Sequence, residues 1–206
     1  AAYIARLPEK ALIKIFAPNP FQLNKSGTAK RYFYDQDGFE GTPNSQELYL
    51  LLSRYDGNLQ EGVVDLVDLT NFKILHTWNP YIDAFNDLVE QVDDFKYLDR
   101  DKNNKRSPLI HPKITSDGGL LFQDDTPLRK INACSNLIFQ NSHSRFHHSI
   151  ETDIDGNIWV PSRFYPQSIP IEKVGRDIPS DNGFNDDAIV KLSPNGDPTQ
   201  KLDRFF

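Results

Sequence analysis

Residues 147–160 have the sequence HHSIETDIDGNIWV, and residues 111–122 have the related sequence HPKITSDGGLLF. Each stretch runs from a histidine through polar residues to an Asp-Gly pair, and it ends in three apolar residues. Asp-Gly suits the positive φ angles of tight hairpin turns, so each stretch predicts two antiparallel strands joined by a turn. Asp or Asn precedes six of the 11 glycines, which extends the hairpin pattern along the chain.

A second repeat lies beside the first. The segment LRKINACSNLIFQ begins at Leu128, IVKLSPNGD begins at Ile189, and the related VVDLVDLTNFKILHTW begins at Val63. Two hairpins per unit, or four antiparallel strands, are typical of a β-propeller blade. The 206 residues hold about three such units, whereas propellers have roughly four to eight blades. The sequence therefore predicts an all-β protein, either an incomplete β-propeller or, if the repeat is misinterpreted, a β-sandwich.

One segment departs from the strand pattern. Apolar residues recur at spacings of three and four at Tyr81, Phe85, Leu88, Val89, Val92 and Phe95. This spacing predicts an inserted amphipathic helix near residues 80–98, with Asn79 as its N-cap and Pro80 at its first position. Residues 1–45 have no regular pattern and are predicted to be an irregular N-terminal segment. Residues 46–206 are predicted to form the blades as a single domain.

The composition excludes several classes of protein. A hydrophobic content of 38% without any run of about 18 apolar residues excludes a membrane-spanning helix. The net charge of −6 argues against a dedicated nucleic-acid binder, which needs cations for the phosphates. The single cysteine excludes an internal disulfide framework. Methionine is absent, even at the start, which we interpret as the sign of a processed or truncated part of a longer protein.

Three of the five histidines, His143, His147 and His148, lie within six residues of one another, directly before a predicted strand. In a propeller, the innermost strand of a blade starts at the mouth of the central channel, where ligands bind. On a strand, His147 and His148 would point to opposite faces, so at most one of them would line a given cavity. A solvated loop histidine is the alternative for each.

Metal and hydrolase chemistry have less support in the sequence. His143 and His147 have the spacing of a helical zinc pair, but the segment is not helical in pattern and a third ligand is not evident. Residues 153–157 resemble the opening of a calcium loop, yet no Glu occupies the twelfth position, and a hairpin turn explains them. Neither a Gly-x-Ser-x-Gly elbow nor a phosphate-cradling loop is present. We predict no metal and no cofactor.

The segments PLRKINACSNLIFQ, FHHSIETDIDGNIWVPS and DDAIVKLSPNGD, in this order, resemble the bacterial aryl-sulfate sulfotransferases. The resemblance covers about residues 48–197 and is strongest over 127–197. It implies a β-propeller that moves a sulfuryl group from a phenolic sulfate ester to a phenol through a histidine intermediate. It also implies a periplasmic or secreted protein with two small-molecule partners, an aryl sulfate and a phenol. Homo-oligomerisation is a further expectation.

The resemblance assigns His148 to the first histidine of the family motif, with His147 as the second choice. That histidine would bind the sulfate and stabilise the leaving oxygen. The predicted substrate-binding residues are Arg163, Arg145 and His111. Ser149 stands where the family has Asp, and the family's nucleophilic histidine is expected beyond residue 206. The alternatives are a non-catalytic propeller-like module that binds a ligand or a protein, and an all-β hydrolase in which water replaces the phenol.

Overall fold

The structure is a computed structural model that describes residues 39–90, 95–164 and 186–202. The contacts divide the chain into residues 1–42 and residues 43–206. The predicted irregular segment at 1–45 lies mostly outside the described residues. In the second unit, strands make up most of the regular structure, which confirms the prediction of an all-β protein.

The first sheet has three antiparallel strands in chain order. They are β1 (Tyr49–Asp56), β2 (Glu61–Asp68) and β3 (Lys73–Trp78). Val63, Val64 and Val67 of the central strand β2 are completely buried. The two flanking strands carry partly exposed side chains, as expected for a central strand covered on both faces. The segment VVDLVDLTNFKILHTW from Val63 therefore forms a hairpin of β2 and β3, as the repeat predicts.

The prediction of one helix over residues 80–98 is wrong. The described residues contain two short helices there, α1 (Ile82–Asn86) and α2 (Leu98–Asp101). The helix α1 ends where the carbonyls of its last residues accept hydrogen bonds from N–H groups three residues later instead of four. The Phe85 carbonyl accepts bonds from the Leu88 N–H and from Gln140 Nε2. Asn79 does not cap the helix, because Tyr81 occupies the N-cap position and makes no side-chain cap bond.

The second sheet consists of two four-stranded antiparallel meanders. The first meander contains β4 (Lys113–Ile114), β5 (Leu120–Phe122), β6 (Thr126–Ile131) and β7 (Leu137–Phe146). The second contains β8 (Glu151–Thr152), β9 (Ile158–Phe164), β10 (Asp186–Leu192) and β11 (Pro198–Leu202). The meanders meet where the ends of β7 and β9 pair, with Arg145 opposite Arg163 and Phe146 opposite Ser162.

One type of turn closes four of these hairpins. In each turn the N–H of the first residue donates to the carbonyl four residues later, and the fourth residue donates back to the first carbonyl. The turns begin at Thr115, Asn132, Asp153 and Ser193, and their fourth residues Gly118, Ser135, Gly156 and Gly196 all have positive φ. This geometry is a three-residue hairpin loop that ends in a left-handed residue. The turns at Asn132 and Ser193 have the same separation as Leu128 and Ile189, so the sequence repeat is also a structural repeat.

The meander β4–β7 is buried on both faces. Leu120 and Phe122 of β5 pack into one core cluster with Val64 and Trp78 of the three-stranded sheet. Leu121, between them, packs into a second cluster with residues of β9 and β10. The consecutive apolar residues of β5 are explained by this double burial.

In the described residues, the strands do not close into a ring, so the all-β class is established while the propeller is not. The described part of the chain also has no helix with the length and apolarity that a bilayer crossing requires.

The turn at Asp153 leads to a prediction on acid stability. The Asp153 carboxylate accepts bonds from the N–H of Asp155, from the backbone and side chain of Asn157 and from Trp159 Nε1. These bonds, the Asn157 side chain foremost, lower the pKa of Asp153 from 3.8 to about 2. Because a lowered pKa favours the ionised form in the folded state, this contribution to stability is complete above pH 4 and is lost as the pH falls through about 2.

We therefore expect Asp153→Asn to flatten the acid limb of the stability profile, measured by urea unfolding with circular dichroism from pH 7 to pH 2. Asp155→Asn, in the same turn, is the control and should lose stability at acid pH as steeply as the parent does. An unchanged slope in Asp153→Asn would contradict the assignment.

Candidate functional site

Two arginines face each other where β7 and β9 meet. Arg145 and Arg163 are directly opposite in the register, and like charges at such positions are destabilising. Asp125, in the loop between β5 and β6, lies between them. Its Oδ1 is 3.1 Å from Arg163 Nη1, and its Oδ2 is 4.0 Å from Arg145 Nη2. The carboxylate thus offsets the repulsion and holds both guanidinium groups at one place.

His147 lies next to this arginine pair. It follows the end of β7, and its N–H donates to the Pro161 carbonyl at 3.1 Å. The side chain is only 7% exposed, and its Nε2 lies 3.2 Å from Asp187 Oδ1. Arg163 Nε is 3.9 Å from the same oxygen. Asp125, Arg145, His147, Arg163 and Asp187 are hereafter termed the arginine–histidine cluster.

The environment of His147 favours the neutral imidazole. Burial lowers the pKa of His147 below its ordinary value, and the electrostatic interactions with Arg163 and His148 act in the same direction. Asp187 and Asp125 oppose this shift but do not reverse it. His147 is therefore neutral at pH 7 in the unliganded site, where it has one donor and one acceptor nitrogen.

His148 occupies the exposed rim of the same site. Its backbone has φ of +60°, and its carbonyl accepts a hydrogen bond from Gln123 Nε2. Its ring meets the His147 ring edge to face, with 4.7 Å between the centroids. Both histidines line a cleft of about 270 Å³ together with Pro161, Asp187, Ala188 and Ile189. The expectation that at most one of them lines a cavity is wrong, because they follow β7 in a bend and are not on a strand.

Several buried polar atoms of the site have no hydrogen-bond partner among the described residues. They are Gln123 Oε1, Asp125 Oδ1, Arg145 Nε, Arg163 Nε and both ring nitrogens of His147. The contacts of Asp125 and His147 given above are within ion-pair distance but do not have hydrogen-bond geometry. Leaving such an atom unpaired costs about 1–3 kcal/mol. These atoms lie in or beside the arginine–histidine cluster, of which His147 and Asp187 line the cleft, and their unmet hydrogen bonds indicate a site for a polar ligand.

Four of the five predicted site residues come together here: His147, His148, Arg145 and Arg163. The pairing of β9 with β7 brings Arg163 next to Arg145 and His147. His111 precedes β4, is exposed and has φ of +52°. In the described part of the chain, no hydrogen bond or ion pair joins His111 to the other four.

Sequence reasoning missed Asp125, Asp187 and Gln123. Asp187 belongs to the DDAIVKLSPNGD segment that carries the resemblance, so its position before a strand was a usable signal. Asp125 and Gln123 had no such signal, because their contacts depend on how the loop between β5 and β6 reaches β7 and β9.

The other candidate sites do not assemble. Over the ranges that the structure describes, no group of three His, Cys, Asp or Glu side chains is placed to hold a metal ion. His143 lies on β7 and is exposed, and Asp153 belongs to a hairpin turn. Cys134 is exposed in the turn between β6 and β7.

No protein-family model matches this chain, and no curated protein matches it at a significant level.

Proposed function

We propose that this chain carries the sulfate-binding part of an aryl-sulfate sulfotransferase, with the phenolic sulfate ester bound at the arginine–histidine cluster. The observation that carries the proposal is that Arg145 Nε, Arg163 Nε and the His147 ring nitrogens are buried and unpartnered among the described residues, in a cluster whose His147 lines a cleft. A sulfate ester presents three terminal oxygens that accept hydrogen bonds and share one negative charge. Guanidinium groups match such an anion in geometry and charge.

The proposal includes a propeller in which the sheets are blades. The repeated hairpin turns and the double burial of β5 support this arrangement. The first strands of the two meanders, β4 and β8, are also linked, because Lys113 Nζ lies 2.8 Å from Glu151 Oε2 at equivalent positions of the repeat. Neighbouring inner strands around a central channel would have this relation.

In the proposed reaction the bond between sulfur and the donor phenol oxygen breaks, and a bond between sulfur and the acceptor phenol oxygen forms. The acceptor hydroxyl loses a proton and the departing phenol gains one, so atoms and charges balance. A phenol has pKa about 10, so its oxygen leaves more easily beside a proton or a cation. We assign His148 and His147 to the sulfate and the leaving oxygen, and we assign the covalent nucleophile to none of the described residues.

The test is an assay with 4-nitrophenyl sulfate, with and without a phenol acceptor. Release of 4-nitrophenol that depends on the acceptor, and falls steeply in His148→Ala, would support the transferase. Release without acceptor would indicate a hydrolase, in which water takes the sulfuryl group.

The alternative is a non-catalytic ligand-binding module. Two observations favour it. Asp125 and Asp187 already lie within ion-pair distance of Arg163 and of His147, so these cations are compensated without a ligand. In addition, Ser149 stands where the family has Asp. Saturable binding of the sulfate ester without any release of phenol would select this alternative.

Arg163→Gln is expected to weaken binding of 4-nitrophenyl sulfate about 10- to 100-fold. A hydrogen bond to a charged group contributes about 1.5–3 kcal/mol, and each 1.4 kcal/mol is tenfold in affinity. Calorimetric titration measures the effect, and the thermal unfolding midpoint checks the fold. Arg100→Gln, at an exposed arginine of α2 paired with Asp101, is the control and should bind as the parent does. Equal affinity in both variants would contradict the site.

A further inference from the structure

The arginine–histidine cluster is electrically balanced before any ligand binds. The charged and titratable groups that face His147 come from four parts of the fold: Arg163 from β9, Asp187 from β10, Asp125 from the loop between β5 and β6, and the titratable His148 from the segment after β7. Arg145 of β7 adds the second positive charge beside Asp125. Two guanidinium groups therefore offset two carboxylates, and the neutral His147 adds no charge.

An incoming anion disturbs this balance. It adds at least one negative charge to a partly buried site, where uncompensated charge is costly because water is excluded. The arginines cannot change their charge near neutral pH. Histidine is the side chain whose ordinary pKa lies in that range, and His147 is both buried and central to the cluster.

The ring geometry provides a place for the additional proton. Nε2 of His147 lies 3.2 Å from Asp187 Oδ1 without hydrogen-bond geometry, and Nδ1 likewise has no hydrogen-bond partner in the described ranges. A neutral imidazole donates from only one of its nitrogens, whereas an imidazolium donates from both. A protonated His147 thus has one N–H for Asp187 and a second N–H for an anion that enters the cluster.

We infer that the cluster binds its anion together with one proton, held on His147, and so selects a singly charged tetrahedral anion such as a sulfate monoester over a doubly charged one such as a phosphate monoester. The inference rests on the proposed function, because both require an anion at this cluster. It goes further by naming the charge of the ligand and the residue that sets it.

The expected pH dependence follows from linkage. Burial keeps the pKa of His147 low in the unliganded site, and the bound anion raises it. Between these two pKa values the affinity falls as the pH rises, by up to tenfold per pH unit, because the complex holds more protons than the free protein does. Above the higher of the two values the affinity is constant.

The experiment is calorimetric titration of the whole chain with 4-nitrophenyl sulfate near pH 7, in buffers that differ in ionisation enthalpy. The dependence of the observed heat on that enthalpy gives the number of protons taken up. We expect uptake approaching one proton per anion, and binding of 4-nitrophenyl phosphate at least tenfold weaker than that of the sulfate. Binding of the sulfate with zero uptake would overturn the inference and leave the proposed function standing. Absence of binding in every buffer would overturn the proposed function itself.

Variants assign the proton to its residue. His147→Gln should abolish the uptake, whereas His148→Gln should retain it. Asp187→Asn removes one negative charge from the cluster. It should therefore raise the affinity for the sulfate at pH 8 about tenfold and reduce the number of protons taken up on binding. Because Asp187 is half exposed, this variant decides the question if His147→Gln does not fold. An affinity for the sulfate that is unchanged or lower in Asp187→Asn would overturn the inference.

Discussion

Gly62→Ala is expected to lower the free energy of unfolding by about 2–3 kcal/mol, because β2 has no room for a side chain at this position. A Cβ atom at Gly62 would lie far inside van der Waals contact of the Ser107 carbonyl oxygen. That oxygen belongs to the backbone and cannot move aside as the end of a flexible side chain would. The substitution would push the Ser107–Pro108 segment away from the three-stranded sheet.

The displaced segment matters because it leads into the core. Leu109, the next residue, is almost completely buried between the sheets, and its carbonyl accepts a hydrogen bond from the Ser53 hydroxyl at 2.7 Å. Loss of this packing adds to the direct clash, so we do not expect a local adjustment to absorb the substitution.

Gly57→Ala is the matched control, since Gly57 lies in the preceding turn and a Cβ there would meet nothing within 4 Å. Its effect should lie between no change and a gain of about 1 kcal/mol, because alanine restricts the unfolded chain. Urea unfolding followed by tryptophan fluorescence compares both variants with the parent. Equal stabilities of the two variants would show that the Ser107–Pro108 segment can move aside without loss of stability, which would contradict the prediction.

The hairpin turns were predictable because their chemistry is local. An Asp-Gly or Asn-Gly pair supplies the left-handed residue by itself, so the turns at Gly118, Gly156 and Gly196 follow from the sequence. The strands next to them were less predictable. Residues 111–122 were predicted to form two strands joined by a turn, but the first of these strands extends only over Lys113–Ile114. Leu109 has positive φ, a conformation that its residue type does not signal.

The failure of the predicted helix has a related cause. Its apolar spacing identifies the buried face only in part, since Phe85, Val89 and Phe95 are buried whereas Tyr81 and Leu88 are exposed. The same face can also be formed by a short helix followed by turns. Gln140, from a distant strand, binds the Phe85 carbonyl, and no local pattern reports such a contact.

The sequence predicted the histidines and arginines of the candidate site but not its carboxylates. Histidine and arginine stand out in the sequence because few residue types bind anions. The role of Asp125 depends on β7 pairing with β9 over only two residue pairs, which is a tertiary event. The charge balance that underlies the inferred proton uptake depends on carboxylates that only the folded structure brings to the cluster. The sequence alone therefore does not predict it.

Arg129 shows the same dependence on tertiary structure at a buried position. It lies on β6, is completely inaccessible to solvent, and burial lowers its pKa to about 10. Its Nη2 donates to Asn86 Oδ1 at 2.7 Å and its Nε donates to Gln140 Oε1 at 2.6 Å. The side chain remains protonated at pH 7, so neutral amide oxygens hold a buried positive charge. This contact links α1 to the meander β4–β7.

Asn86→Ala is therefore expected to lower the free energy of unfolding by about 2–4 kcal/mol, because it leaves the buried cation without one of its acceptors. Replacing the cation as well, by Arg129→Met in the same chain, should restore at least about 1 kcal/mol, because an apolar side chain of similar length needs no acceptor. Urea unfolding of the two single variants and the double variant gives the coupling free energy. A double variant no more stable than Asn86→Ala would mean that lost packing, and not the uncompensated charge, causes the destabilisation. Since α1 and the arginine–histidine cluster share no residue, folded Asn86→Ala should still bind the sulfate ester with the affinity of the parent.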